Sequence, residues 1–449
     1  MGLGRFGGGV DVAKFACKAG AKVIVADLAS AEQLSDSIKQ LEGFPDIEYR
    51  LGSHNPADFE QADIIVANPA VPNDNKFLEI ARRAGRIVTS QINIFFELCP
   101  ATIIGITGAN GKSTTTALTA HLLKAVKNRN VWLGGNIGNE PLLTILDQIK
   151  NDDLVVLELS SFQIEQLACD QKAPQVALLT NLMPNHLDRY GSFENYCAAK
   201  ENIFKFQRLD EKSPAVSMFN AEDPVGCRWF EKYRSQKGRI CVKFSADDVS
   251  EQIRQKFALP GRANLSNLAA ALAVAQRFGI AEKTIKHCLP KFKALPHRLE
   301  LVAEINGIRW YNDSKATTPE STIVALDAFE CPEIIIAGGY DKHLPFDELG
   351  KKIAQRAKAA ILIGQTAEKI KTAIKKATVH RDSIGEETER KVEVKVVNSL
   401  AKAVELSQQL AVSGDVVLLS PACASYDMFE NFEHRGREFT RLVQKISQK

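Results

Sequence analysis

Gly108-Ala109-Asn110-Gly111-Lys112-Ser113-Thr114 follows the apolar run Ile103-Ile104-Gly105-Ile106-Thr107 and opens a stretch whose pattern predicts a helix to about Lys127. A strand, a glycine loop and a helix start can turn consecutive backbone N–H groups toward phosphate oxygens. Lys112 adds a mobile positive charge, and the Ser113 hydroxyl can reach a magnesium ion. The spacing is not the usual Gly-x-x-x-x-Gly-Lys, because Ile106 stands where the first glycine would be. The loop is therefore a shorter one, and a chance Gly-Lys-Ser turn would need neither flanking element. Downstream, Val155-Val156-Leu157 ends in Glu158, followed by Leu159-Ser160-Ser161-Phe162-Gln163. A carboxylate beside a phosphate loop can hold magnesium, which prefers one or two carboxylates plus phosphates and waters. It can equally be a solvated loop acid. His186, in His186-Leu187-Asp188-Arg189-Tyr190, reads as a metal ligand, a helix cap or a core histidine. Lys200, taken alone, reads as a surface lysine. Asn264 and Asn267 lie in a loop leading to an Ala-rich helix, where capping is the default role and holding a base the alternative.

The N-terminal Gly2-Leu3-Gly4-Arg5-Phe6-Gly7 fits a dinucleotide-type fingerprint, with Asp27 at the end of a predicted strand 20 positions after Gly7. Such glycines let backbone N–H groups approach a phosphate, and the acid can accept from a ribose or base group. Only Met1 precedes the motif. Either the chain begins upstream of Met1, or the first sheet lacks a strand; the alternative is a floppy glycine-rich terminus.

These residues need elements to hold them. Val23-Ile24-Val25, Ile64-Ile65-Val66, Ile103–Ile106, Val155–Leu157, Ile334-Ile335-Ile336, Ile361-Leu362-Ile363 and Val416–Leu419 alternate with helical stretches. Apolar runs of this kind suit parallel strands covered on both faces. The fold class is α/β with several open sheets. Pro100, after Glu97-Leu98-Cys99, and Pro296, in Leu295-Pro296-His297-Arg298, mark breaks. The expected domains are 1–99, 100–298 and 299–449 of the 449 residues. Lys plus Arg number 57 against 54 Asp plus Glu, a net charge of +3, which lends no support to a nucleic-acid role. Nine scattered cysteines without a Cys-x-x-Cys pair read as thiols of a reducing compartment. No apolar run approaches the ~20 residues that span a bilayer, and there is no signal-peptide pattern, so a cytoplasmic protein without membrane partners is expected.

Thr107–Thr115, Glu158–Gln163, His186–Tyr190 and Leu295–Arg298 together resemble the Mur ligases, ATP-dependent amide-forming enzymes of peptidoglycan synthesis. Trp310–Thr317, Leu419–Asp427 and Asn431-Phe432-Glu433-His434-Arg435-Gly436 resemble the D-glutamate-adding branch of that family. The resemblance runs nearly the whole chain. It implies a Rossmann-like N-terminal domain, a central P-loop ATPase-like domain and a C-terminal Rossmann-like domain. It also implies a monomer that uses ATP and magnesium to join D-glutamate to UDP-N-acetylmuramoyl-L-alanine through an acyl phosphate.

Carried over residue by residue, the resemblance gives Gly108, Ala109, Asn110, Gly111, Lys112, Ser113 and Thr114 to the ATP phosphates. Asn267, Arg298 and Asp313 then surround the rest of the nucleotide. Ser113 and Glu158 hold one magnesium; His186 and a carbamylated Lys200 approach a second, so Lys112, His186 and Lys200 are the catalytic set. Gly4, Arg5, Phe6, Asp27 and Asn136 face the UDP-linked substrate, and Thr317, Lys342, Ser425 and Phe432 seat D-glutamate. Whether His186 is a base or a metal-side residue stays open. Closure of the three domains is expected to keep water from the acyl phosphate. The chain departs from the family pattern in the short polar stretch Lys243–Pro260, in Ala263 where histidine is usual, and in Tyr340 and Tyr426, which predict a repacked amino-acid pocket. A nicotinamide dehydrogenase would leave Gly108–Thr114 unexplained, and a P-loop switch would need base-reading motifs that are missing. A sister ligase or a folylpolyglutamate synthase is disfavoured by Asp313-Ser314-Lys315-Ala316-Thr317.

Overall fold

Every β-branched run named above lies in a strand or overlaps one, and all but one of the strand pairs among the described residues are parallel. The computed structural model describes residues 1–4, 7–137, 141–383 and 392–447. It divides into two compact units, Met1–Ser250 with Ser266–Leu289, and Glu251–Leu265 with Pro290–Lys449.

The first unit begins with β1 (Ile24–Asp27) paired to β2 (Glu48–Leu51), and β3 (Ile64–Val66) paired to β4 (Ile87–Thr89). These are two separate two-stranded sheets. The first residues of the chain lie between them. The Gly2 N–H donates to Ala26 O at 2.7 Å, the Met1 amino group donates to Val66 O at 2.9 Å, and the Asn68 N–H donates to Met1 O at 3.0 Å. This short piece of chain thus stitches the two sheets together through backbone hydrogen bonds. Leu3 anchors it in the core at 3% exposure.

The same unit continues with β5 (Thr102–Thr107), β6 (Val131–Gly135), β7 (Leu154–Glu158), β8 (Val176–Leu179), β9 (Ala215–Asn220) and β10 (Arg239–Phe244). They form one parallel sheet in the order β10-β9-β8-β5-β7-β6. All five residues of β7 are buried, as expected for a strand with helices on both faces. After β7 the chain crosses β5 to reach β8. The carboxyl ends of these three strands therefore border a topological switch point, where open α/β sheets place their ligands. The helix after β5 covers Lys112–Leu123, ending a turn short of the predicted limit. Beyond β10 the polar stretch forms two short helical turns, Ala246–Asp248 and Glu251–Arg254.

The second unit is built on β11 (Glu300–Ile305), β12 (Ile308–Asn312), β13 (Glu333–Ala337), β14 (Ala357–Leu362), β15 (Glu393–Val396) and β16 (Val416–Leu419). Their order is β11-β12-β16-β13-β14-β15, and only the β11–β12 edge pair is antiparallel. β13 and β16 lie in the middle, with every residue buried.

Asp11, in the helix Gly8–Lys18, was not singled out by its sequence context, yet it is 4% exposed and holds five hydrogen bonds. Its carboxylate accepts from the backbone N–H groups of Leu142, Leu143 and Thr144, from the Thr144 hydroxyl and from Gln91 Nε2. Replacing it would leave those buried donors without an acceptor. Asp11→Ala is expected to lower the unfolding free energy by roughly 2–4 kcal/mol, read by urea or thermal unfolding. A wild-type midpoint would show that the bonds contribute nothing net.

Candidate active site

The phosphate loop turns sharply off the end of β5. Gly108 sits at φ 152°, and a Cβ there would lie 1.9 Å from Thr180 Oγ1. Gly111 sits at φ 80°, and its Cβ would lie 2.2 Å from Asn267 Oδ1. Both backbone conformations favour glycine, and at Gly108 the Asn181 backbone and Thr180 also leave a side chain no room. The loop is held from β8: Ala109 N–H donates to Asn181 O at 2.8 Å, Asn110 N–H donates to Asn181 Oδ1 at 3.0 Å, and Thr180 Oγ1 donates to Asn110 O at 2.6 Å. Helix Lys112–Leu123 starts at Gly111 with no side-chain cap, leaving its N-terminal end suited to an anion. Ser113 and Thr114 are buried at its start, and Lys112 Nζ donates back to Ala109 O at 2.8 Å.

Asn264 and Asn267 are not in a preceding loop, because the helix already begins at Arg262. Asn264 Nδ2 donates to Pro260 O at 2.8 Å. Asn267 instead contacts the phosphate-loop helix, its Oδ1 accepting from Thr115 Oγ1 at 3.2 Å.

Glu158 ends β7 at 2% exposure, so the solvated-acid reading fails. Its Oε1 accepts from Asn136 Nδ2 at 3.0 Å, and its backbone O accepts from Asn136 N–H at 2.9 Å. Oε2 is buried without a hydrogen-bond partner. An uncompensated carboxylate oxygen at this depth is costly unless a cation or donor completes it.

Lys200 is 1% exposed in helix Phe193–Lys205, not on the surface. Its Nζ donates to Thr107 Oγ1 at 3.0 Å, and Thr107 Oγ1 donates on to Leu159 O at 2.7 Å. The Tyr196 ring lies 5.1 Å from the same amine. Burial, reinforced by Lys112 and only partly opposed by Glu158, holds the Lys200 amine well below the ordinary lysine range. His186 takes a left-handed conformation, φ 52° and ψ 36°, at the start of the single turn Leu187–Tyr190, and its side chain makes no capping bond. Its ring lies 5.1 Å from that of Phe162. Burial, then Lys200, lowers its imidazole from the usual value. Arg189 and Tyr190 brace that turn: Arg189 Nη2 and the Tyr190 hydroxyl reach Glu165 Oε2 at 3.2 and 3.0 Å.

Gly4 and Asp27 do come together, but Asp27 serves the chain's own backbone. It accepts from Gly4 N–H at 3.1 Å and from Ala29 N–H at 2.9 Å. Arg5 and Phe6 lie outside the described residues.

In the second unit, Asp313 follows β12. Its Oδ2 accepts from Ser420 Oγ at 2.9 Å and its Oδ1 from Leu299 N–H at 3.1 Å. Burial pushes its carboxyl up to about 7, against those two bonds and the nearby Arg298. Ser425 is 2% exposed after β16, and Phe432 starts the helix Phe432–Ile446. Lys315 Nζ lies 5.2 Å from the Phe432 ring centre. Ser314 Oγ donates to Phe432 O at 2.8 Å, which brings the Thr317 segment beside Phe432. Tyr340 N–H donates to Ala424 O at 2.9 Å, tying the loop that carries the exposed Lys342 to the one that carries Ser425. The Tyr340 and Tyr426 rings are exposed, with centres 6.0 Å apart. Thr180 and Asn181, which hold the glycine loop from β8, carried no distinguishing spacing; their only sign was their place at a strand end.

A family model described as the Mur ligase middle domain matches residues 106–275, and one described as the Mur ligase glutamate ligase domain matches residues 297–423. The UDP-N-acetylmuramoylalanine–D-glutamate ligase of Roseiflexus sp. (strain RS-1) is 38% identical over 477 residues, covering 100% of this chain and 98% of that protein. Among solved structures, MurF from Acinetobacter baumannii matches with a TM-score of 0.59 at 16% identity, covering 96% of this chain and 91% of that one. MurF ligase from Thermotoga maritima in complex with ADP matches with a TM-score of 0.56 at 19% identity, covering 85% of this chain and 95% of that one. A phosphate loop at a sheet switch point, a buried acid and a buried lysine beside it, and a relative of this identity along its full length all lead to one conclusion: the chain belongs to the Mur ligase family.

Proposed function

We propose that the protein joins D-glutamate to the L-alanyl carboxylate of UDP-N-acetylmuramoyl-L-alanine, using ATP, as a cytoplasmic monomer of peptidoglycan precursor synthesis. The full-length relative in Roseiflexus carries that activity in its name. The observation that bears most weight is the grouping of Lys112, Glu158 and a buried Lys200 around the glycine loop. The proposed domains, 1–99, 100–298 and 299–449, are supported by the strand content: four short strands, then a sheet from 102 to 244, then a sheet from 300 to 419.

A carboxylate is a poor electrophile. Transfer of the γ-phosphoryl group to one of its oxygens makes an acyl phosphate, from which phosphate can leave. Backbone N–H groups of the glycine loop, with Lys112, hold the phosphates and offset their charge. The lone Glu158 Oε2 and the Ser113 hydroxyl fit a magnesium site of the kind completed by phosphates and waters. Among the described residues no cluster of three or more His, Cys, Asp or Glu forms a full protein cage, which agrees with that kind of site. Magnesium, when bound, supplies positive charge to phosphate oxygens.

In its deprotonated form, which burial favours, the amine of Lys200 can add to carbon dioxide with loss of one proton, giving a carbamate. That places an anion beside Lys112. The D-glutamate amine attacks the acyl carbon only after losing a proton. His186, held toward its neutral form, can accept that proton or lend its lone pair to a metal ion; both roles use the same protonation state. Asn267, Arg298 and Asp313 are assigned to the remainder of ATP, Gly4, Asp27 and Asn136 to the UDP substrate, and Thr317, Lys342, Ser425 and Phe432 to D-glutamate.

Phosphate release should require ATP, UDP-N-acetylmuramoyl-L-alanine and D-glutamate together, and an amino-acid panel tests this directly. Equal turnover with L-alanine or a diamino acid would replace the D-glutamate reading with a sister ligase. Lys112→Ala should lower kcat by about 100-fold or more with an unchanged melting curve, and retained turnover would remove the loop from the mechanism. Lys200→Ala should be inactive and regain part of its rate with added short carboxylates; full activity without them would end the carbamate assignment.

A further inference from the structure

Arg435 lies in the first turn of helix Phe432–Ile446 and is 1% exposed. Its guanidinium makes four hydrogen bonds. Nε donates to Ser314 Oγ at 2.9 Å and Nη2 donates to Ser314 O at 2.8 Å. Nη1 donates to Cys423 O at 3.1 Å and to Ala424 O at 3.3 Å. A Cβ added to Gly339 would sit 3.3 Å from Nη1, so that loop also lies against the cation. Three loops therefore converge on one side chain, those that follow the carboxyl ends of β12, β13 and β16. They are the loops that carry Thr317, Lys342 and Ser425. The helix of Phe432 supplies the cation itself, and Ser314 Oγ closes the ring onto Phe432 O.

All four acceptors are neutral. No ion pair to Arg435 exists among the described residues. The nearby acid, Asp427, gives its Oδ2 to the Gln365 N–H instead. Burial lowers the guanidinium to about 10, which still leaves it charged at neutral pH. Asp427 opposes the cost of burial only from a distance, with no direct bond to the guanidinium, and a neutral amide could bond the same carbonyls. A cation this deep, balanced only in part by Asp427, points to an anion that arrives later. In a low-dielectric surround its attraction is far stronger than in water.

We propose that Arg435 is the positioning residue of the amino-acid site, a fixed cation that gathers the three binding loops and biases them toward an amino acid with an anionic side chain. This rests on the D-glutamate reading above. Arg435 acts through the loops and their potential, and exposed Lys342 remains free to make direct contact.

The test compares D-glutamate with its neutral isostere D-glutamine in ATP-dependent phosphate release by wild type, Arg435→Gln and Arg435→Lys. In Arg435→Gln, KM for D-glutamate should rise about tenfold or more, KM for ATP should stay within about twofold, and the kcat/KM preference for D-glutamate over D-glutamine should fall about tenfold or more. Arg435→Lys, which keeps the charge but not the fork, should keep most of that preference while both amino acids lose kcat/KM. An unchanged preference in Arg435→Gln, or equal rises in the two KM values, would overturn the proposal. If Arg435→Gln does not fold, Arg435→Lys decides: a rise in the amino-acid KM values with the ATP KM unchanged supports the role, and parallel rises in the amino-acid and ATP KM values refute it. A wild type whose phosphate release ignores D-glutamate would refute the ligase reading itself, an outcome separate from any behaviour of the variants.

Discussion

The amine of Lys200 is the constraint around which the first unit's site is arranged. A lysine side chain is among the least willing to leave water, and here it ends against the last residue of β5. Thr107 meets it with one hydroxyl, which in turn donates to the residue after Glu158. The end of β5, the turn after β7 and the helix Phe193–Lys205 are thereby locked to a single hydrogen-bonded chain. Moving any one of them would strand a buried polar atom. The same low dielectric that depresses the amine strengthens every charge interaction around the phosphate loop.

The glycine loop shows the converse constraint, in which space decides. Thr180 and Asn267 crowd Gly108 and Gly111, each in a backbone conformation that favours glycine. That crowding brings the end of β8 and the helix Arg262–Arg277 against the loop, and the Ala109 and Asn110 N–H groups are tied to Asn181. In the second unit, side chains do at the carboxyl ends of the strands what ladder bonds do within the sheet. Ser420 and Leu299 fix Asp313, Ser314 fixes Phe432, and Arg435 draws in the loops after β12, β13 and β16.

Much of this was legible in the residues. Fully buried parallel strands need apolar runs on both faces, so β5, β7, β13 and β16 could be read directly. The phosphate loop was legible because strand, glycines and helix are contiguous. Lys200 was not: by itself it reads as a surface lysine, and only the family resemblance singled it out. Asp11 was silent too, because its partners lie 80 or more positions away and most of its bonds come from backbone N–H groups that any residue could supply. Asn264 and Asn267 were placed before a helix that in fact begins at Arg262, since Ala-rich periodicity marks the body of a helix better than its first turn.

The sequence by itself determined the α/β class, several of the apolar strands, the contiguous strand, glycine loop and helix, and the family. Each of these rests on neighbouring residues or on an ordered series of short motifs. Tertiary structure alone decided which charged groups leave water. Burial depends on what the rest of the chain packs over a side chain, and a local pattern holds no record of it. Lys200, Glu158, Asp313 and Arg435 owe their chemistry to that packing, because desolvation and the few hydrogen bonds left to each set its charge, its orientation and its reach.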